Sequence, residues 1–358
     1  MIMGVLRKMW AVVALCVATV SAFAGGGWQP DVLGDGYEMR RVDQGTDYSG
    51  KVVSTIIRKN VADSVSTGRG VLYVHGFNDY FFNSGMGDEF VGHGYDFYAV
   101  DLRKYGRSLL AGQRRFEARS IDEYYPDIDS ALVVMKNAGL KEIVLMGHST
   151  GGLICACYMA SHPSAPVDAL ILNSPFLDWN LGWKERLVPM IAWWGMVSPD
   201  TRVPQGKSTA YAESLLKKYH GDWDYDTRCK LSQSPDVTAG WVRAITRAQR
   251  SLRGGKADIR IPILLMYSSQ SVWGDKWTEE HNHADGVLDV ADIKKYGMDL
   301  GPHVTCMEVV GGLHDLMLSN RALLAALYPR VFSWLNRHLP HVGGDACGRC
   351  GGKVCGAA

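Results

Sequence analysis

No charge of either sign predominates in this chain: across 358 residues Lys+Arg number 38 and Asp+Glu 37, a formal net of +1. That balance excludes a nucleic-acid-binding polyelectrolyte and supplies no basic patch for an anionic membrane. A repeat of fixed period is absent as well, which removes solenoids and arrays. The apolar run from Met9 to Val20 is about 12 residues, where roughly 20 are needed to cross a bilayer core. What remains, 47% hydrophobic and 21% charged, is the composition of a chain that buries a core rather than a disordered or collagen-like one.

The short apolar run has a different reading. Arg7 and Lys8 precede it and Ala22-Phe23-Ala24 follows it, the charged, apolar and small-residue plan of a secretory signal cleaved near Ala24. The chain therefore reads as exported, to a periplasm or outside the cell. Cysteine usage decides less: eight minus Cys16 leaves seven, an odd number for an oxidising compartment. Cys155, Cys157, Cys229 and Cys306 lie in apolar or helical contexts and read as buried small hydrophobes. Cys347, Cys350 and Cys355 sit in a Gly-rich tail from His341 to Ala358. They lack the fourth ligand of a zinc site and the His of a haem attachment motif.

Between these ends, β-rich runs alternate with helix-length segments, the pattern of an α/β fold with a mostly parallel central sheet covered on both faces. Strands are predicted near Val52–Arg58, Val71–His75, Phe97–Val100, Glu142–Met146, Ala169–Leu172, Ile263–Tyr267 and Val304–Val309. Helices are predicted over Ile121–Asn137, Thr150–Ser161, Asp289–Met298 and Ala322–His338. From Pro175 to about Lys256 the alternation stops, and Trp179, Trp183, Trp193, Trp194 and Trp223 cluster among aliphatic residues. A structureless loop beyond about 15 residues is uncommon, so this stretch reads as a helical insertion. The resulting organisation is 1–24 signal, 25–175 and 257–340 core, 176–256 helical cap, and 341–358 flexible tail.

Chemistry is carried by Gly147-His148-Ser149-Thr150-Gly151, directly after one predicted strand and directly before a predicted helix. A tight strand-to-helix turn needs glycines beside the serine and exposes it at the carboxyl end of the sheet, so Ser149 is the candidate nucleophile. Chain order then asks for an acid and a histidine downstream, and His314, after the last predicted strand, is at the right topological place for the base. The acid is less plainly placed, because Ile263–Tyr267 runs into Ser268-Ser269-Gln270-Ser271 without a carboxylate. Asp285 is favoured, with Asp289 and Asp275 as alternatives; its task is to hold the imidazole tautomer and stabilise imidazolium. The oxyanion of the reaction needs two backbone N–H donors, assigned to Thr150 and to Phe77 in His75-Gly76-Phe77-Asn78. Asp101 to Ser108 reads as a structural strand-exit turn. His281 and His283 near Glu280 and Asp285 raise a metal reading, but an i, i+2 pair in a loop lacks zinc-hydrolase spacing.

These residues resemble the α/β-hydrolases, and within them the monoacylglycerol lipase and lysophospholipase branch, also grouped as serine aminopeptidase-like hydrolases. The resemblance covers about Val52 to His338. It rests on His75-Gly76-Phe77, the Asp101–Ser108 turn, Gly147 to Gly151, the insertion at the cap position, and Gly312-Leu313-His314. It implies a cap over the active site shaping an apolar acyl channel, with Trp179, Trp183, Trp193 and Trp194 as candidate substrate contacts, and no metal or organic cofactor. Two features depart from it: the acid lies farther beyond its strand than the usual Gly-x-x-Asp spacing, and the Cys-bearing tail is extra. The function so implied is hydrolysis of a small-molecule ester or monoacyl lipid, with transient contact with a lipid surface. Triad chemistry alone does not separate ester from amide, so a peptidase or amidase is the alternative, and a non-catalytic binding protein on the scaffold a third.

Overall fold

The structure, a computed structural model, describes residues 27–62 and 66–339. The signal-like segment and the tail with Cys347, Cys350 and Cys355 lie outside the described residues. The strands in chain order are β1 (Gln29–Pro30), β2 (Glu38–Asp47), β3 (Gly50–Lys59), β4 (Arg69–Val74), β5 (Tyr95–Asp101), β6 (Glu142–His148), β7 (Ala169–Asn173), β8 (Arg202–Val203), β9 (Val237–Thr238), β10 (Ile263–Ser268) and β11 (Val304–Val309). One nine-stranded sheet runs in the order β1-β2-β3-β5-β4-β6-β7-β10-β11. The pairings from β1 to β5 through β2 and β3 are antiparallel, and every pairing from β5 across to β11 is parallel.

The central strands are apolar without interruption because both faces are covered. Along β6, Ile143 and Leu145 enter the core on one face, while Val144 and Met146 enter the core on the other. In β10 the same period of two sends Ile263, Leu265 and Tyr267 one way and Leu264 and Met266 the other. The helices Tyr125–Asn137, Thr150–Ser161 and Ala239–Leu252 supply the first face; Ser84–Gly92 and Arg321–His338 supply the second.

The polar strand β2 and the helices Ser84–Gly92 and Ala239–Leu252 were not legible as elements in the sequence. In β2, Glu38, Arg40 and Arg41 face solvent in part, so its hydrophobic alternation is weak. Cys306 departs from the buried reading: Cys155 and Cys157 are buried, Cys229 is intermediate, and Cys306 is exposed, because β11 ends the sheet and its outer residues have no covering neighbour.

Between β7 and β10 the chain forms the helices Val188–Val197, Ala210–Leu215 and Ala239–Leu252, together with the short β8–β9 ladder. The last of these helices packs into the main core through Trp241, Val242 and Ile245. Thus the insertion is rooted in the body of the fold rather than resting on it. Among the described residues no helix is long and apolar enough to cross a membrane.

Candidate active site

Ser149 sits at the turn between β6 and the helix Thr150–Ser161 with φ 52° and ψ −118°. A non-glycine residue pays about 1–3 kcal/mol for such a backbone, so the surroundings must enforce it. They do: Ser149 N–H donates to the Asn173 carbonyl at 3.0 Å, and the Ser149 carbonyl accepts from Phe176 N–H at 3.0 Å and Leu153 N–H at 3.1 Å. The flanking glycines are required by close approach. A Cβ on Gly151 would lie 2.3 Å from the His75 carbonyl oxygen, and one on Gly147 would lie 2.6 Å from the Gly151 oxygen.

His314 Nε2 stands 3.0 Å from Ser149 Oγ, and His314 Nδ1 stands 2.8 Å from Asp285 Oδ2. All three are buried. The other oxygen of Asp285 accepts from the Val287 and Leu288 amides, each at 2.8 Å, so the carboxylate is fully engaged and cannot turn away. Of the three acids considered, geometry brings this one to the histidine. Asp289 instead caps the helix Val290–Gly297 through Ala291 N–H, and Asp275 is exposed at the cavity rim.

The displaced position of Asp285 in the chain has a local cause. Its N–H donates to Gln270 and its carbonyl accepts from Val272, both at 2.9 Å, a β-bridge made just beyond the end of β10. The residues between leave as an excursion and return to where a shorter loop would have set the acid. His281, inside that excursion, uses Nδ1 to close a turn with Thr278.

Phe77 and Thr150 both border the cavity at Ser149, and among the described residues neither amide donates to a protein acceptor. The loop carrying Phe77 is held from beneath. His75 Nε2 accepts from Leu102 N–H at 3.1 Å, which leaves the proton on Nδ1 to donate to the Gly76 carbonyl at 2.8 Å. Asp101, as expected of a structural turn, receives the amides of Phe81 and Arg107 and the Arg107 guanidinium, each at 2.9 Å.

The cavity over the serine has a volume of about 510 Å³. Trp179, Phe176, Phe77, Trp241, Tyr211 and Leu215 supply apolar wall. Phe77 and Trp241 rings lie 4.8 Å apart, Phe176 and Trp179 5.1 Å. Trp183, Trp193 and Trp194 are a correction to the sequence reading. They are 72%, 58% and 46% exposed and lie outside the cavity lining. The helix Val188–Val197 seats on the fold through Val188 and Gly195; a Cβ on Gly195 would meet the Ala239 carbonyl, and the tryptophans beside it therefore point out. Trp241 lines the cavity in their place, from a helix the aromatic cluster did not reveal.

Behind the serine and histidine lies a buried polar cluster that the sequence did not announce. His148 packs 4.9 Å from the His314 ring, donates through Nδ1 to the Asn173 carbonyl at 3.2 Å, and faces Asp315 through Nε2 at 3.8 Å. Asp315 accepts from Asn173 Nδ2 at 2.7 Å. Burial, with help from nearby His314, pushes His148 well below the ordinary imidazole range, so it is neutral; burial pushes the Asp315 carboxyl up. Among the described residues, Asp79, His148 and Asp315 form a group with ligand atoms within 4.8 Å of one another. Positive charge there is already supplied by Lys230, whose Nζ lies 2.9 Å from Asp79 Oδ1.

Comparison with known proteins identifies the family. Residues 67–280 match the family model described as serine aminopeptidase, S33, a span that ends before Asp285 and His314. An AB hydrolase superfamily protein, YisY, of Bacillus subtilis strain 168 is 27% identical over 215 residues, 57% of this chain and 75% of that one. The phospholipase YtpA of the same organism is 23% identical over 187 residues, 51% of this chain and 68% of that one. A soluble variant of the monoglyceride lipase of Saccharomyces cerevisiae, solved with a substrate analogue, superposes with a TM-score of 0.60 at 17% identity, covering 83% of this chain and 94% of that one. With the family model spanning more than half its length and the sheet, elbow serine and histidine arranged as described, the chain belongs to the serine aminopeptidase S33 family of α/β-hydrolases.

Proposed function

We propose that the protein is a carboxylic-ester hydrolase whose substrates are monoacylglycerol- or lysophospholipid-like monoacyl lipids. The observation that carries the reading is the relay from Asp285 through His314 to Ser149, 2.8 Å and 3.0 Å, opening into an aromatic-walled cavity. His314 Nε2 takes the Ser149 proton as Oγ attacks the ester carbonyl, and Asp285 holds the Nδ1 proton and stabilises the imidazolium. The new anionic oxygen is received by the Phe77 and Thr150 amides. The imidazolium then protonates the departing alcohol, leaving an acyl-serine. Water, deprotonated by His314, attacks the acyl carbonyl and restores the serine.

The monoacyl assignment draws support from the apolar wall and from the monoglyceride lipase and phospholipase among similar proteins. Contact with a lipid surface is part of the proposal. Trp183, Met190, Trp193, Met196 and Val197 present large apolar side chains to solvent, beside Lys184 and Arg186. That is the mixture that settles at a lipid–water interface.

Ser149→Ala is expected to lower p-nitrophenyl ester turnover by at least about 10⁴-fold while leaving the fold intact, and to abolish labelling by a fluorophosphonate probe. Turnover retained in the variant would overturn the assignment. Labelling of the wild type without turnover of any acyl chain length would shift the reading to an amidase or peptidase.

A further inference from the structure

Phe77 and Thr150, which border the cavity with Ser149 and whose amides the proposed function assigns to the oxyanion, are held by different parts of the molecule. Thr150 belongs to the elbow and its helix. Phe77 belongs to a loop whose next residues are gripped by the insertion. Asn78 has φ +51°, a left-handed backbone that a non-glycine residue keeps only when its partners hold it there. Its side-chain amide spans the backbone of one residue of the insertion. Asn78 Nδ2 donates to the Leu231 carbonyl at 2.8 Å, and Leu231 N–H donates to Asn78 Oδ1 at 2.9 Å.

The neighbouring residues repeat the grip. Asp79 and Lys230, both buried, pair at 2.9 Å, and Asp226 N–H donates to the Tyr80 hydroxyl at 2.9 Å. Three consecutive residues of the loop thus hold Leu231, Lys230 and Asp226 of the segment 226–231. A paired side-chain amide fixes both distance and tilt, whereas a single hydrogen bond leaves a hinge. The restrained peptide is the one that follows the Phe77 amide. On the other side, Lys230 and Leu231 border the cavity, so whatever fills the cavity bears on the segment that Asn78 holds.

We propose that Asn78 is a positioning residue: by clasping Leu231 it sets the Phe77 N–H and couples assembly of the oxyanion hole to the seating of the segment 226–231 over the cavity. The inference rests on the ester-hydrolase reading above, in which Phe77 receives the oxyanion. An interaction of this kind acts in the transition state and not on the ground-state substrate, so its loss appears in kcat rather than KM.

Asn78→Gly tests it, since glycine accepts the positive φ and removes both clasp bonds. Loss of a hole donor costs about 10²–10³ in rate, and a misplaced donor costs less. Turnover per fluorophosphonate-titrated site is expected to fall about 10- to 100-fold with KM within about twofold. The pH–rate profile should keep its shape, because His314 is untouched. An unchanged kcat per titrated site, or a loss confined to KM, overturns the proposal.

A second measurement needs no substitution. A boronic acid bound at Ser149 places an anionic tetrahedral oxygen at the hole. Amide hydrogen exchange is expected to slow together in peptides covering 74–82 and 226–235; protection of the first with no change in the second overturns the coupling. Wild-type protein that neither hydrolyses an ester nor binds the boronate would remove the ester-hydrolase reading itself, a pattern distinct from active wild type with an unaffected variant.

Discussion

At the scale of single residues, the acid is where the sequence leaves most open. Asp275, Asp285 and Asp289 are equivalent by type and close in the chain, yet they do three different things. Asp285 has both oxygens committed, one to His314 and one to two amides; Asp289 caps a helix; Asp275 is exposed at the rim. Asp285→Asn is therefore expected to cut kcat by about 10⁴-fold, because an amide in that place favours the wrong imidazole tautomer. Asp289→Asn is expected to leave kcat unchanged and to cost well under about 1 kcal/mol, since Asn also caps helices. Steady-state kinetics and urea melts of the two variants separate these roles, and equal loss of kcat in both would sink the assignment. Ser149 and His314 were legible because their positions are set by local chain geometry, a turn after a strand in each case. The acid could only be favoured among three, because a β-bridge between Asp285 and the end of β10 overrides the count of residues between them.

At the scale of elements, the helix Val188–Val197 shows how composition misleads without orientation. Val-Pro-Met-Ile-Ala-Trp-Trp-Gly-Met-Val contains no charge, and from sequence it reads as the lining of a pocket. Its buried residues are only Val188 and Gly195, so the apolar bulk faces outward and the cavity is lined instead by Trp179 and Trp241. Exposed aromatics at this density are uncommon on a surface that meets only water. Trp183→Ser with Trp193→Ser is expected to weaken binding to phosphatidylcholine vesicles by about tenfold, on the order of 1.4 kcal/mol, in a flotation assay. Hydrolysis of a short-chain water-soluble ester should be unchanged. Vesicle binding equal to wild type would overturn the interfacial role. The elements themselves were readable where a continuous apolar run marks a strand buried on both faces, as in β4, β6, β7 and β10. The polar strand β2 was missed because it carries no such run, and the helix Ala239–Leu252 was read only as an undivided part of the helical insertion.

At the scale of the whole molecule, the buried polar cluster behind the site ties folding to pH. His148 is held neutral by burial, its folded affinity for a proton lying below the unfolded value of about 6.5. The unfolded chain therefore binds more protons below that pH, and the stability contributed by His148 is complete above about 6.5 and falls as the solution is acidified. Asp315, raised by burial, contributes with the opposite sign in its own, more acidic direction. His148→Gln is expected to narrow the difference in unfolding free energy between pH 7.5 and 5.5, measured by denaturant titration at both pH values. An identical difference in variant and wild type would mean His148 titrates freely in the folded protein.

The sequence by itself determined the class of fold, the elbow that exposes Ser149, the topological place of His314 and the presence of a large insertion. Each of these depends on short-range rules: period-two burial, the steric need for glycine at a tight turn, and chain order along a parallel sheet. Tertiary structure decided the rest. Which carboxylate reaches the histidine, which tryptophans meet the cavity, and which residue of the insertion Asn78 clasps depend on how segments 29 to 153 residues apart are brought together. No local pattern encodes those distances, because they are fixed by packing of the completed sheet and the helices rooted in it.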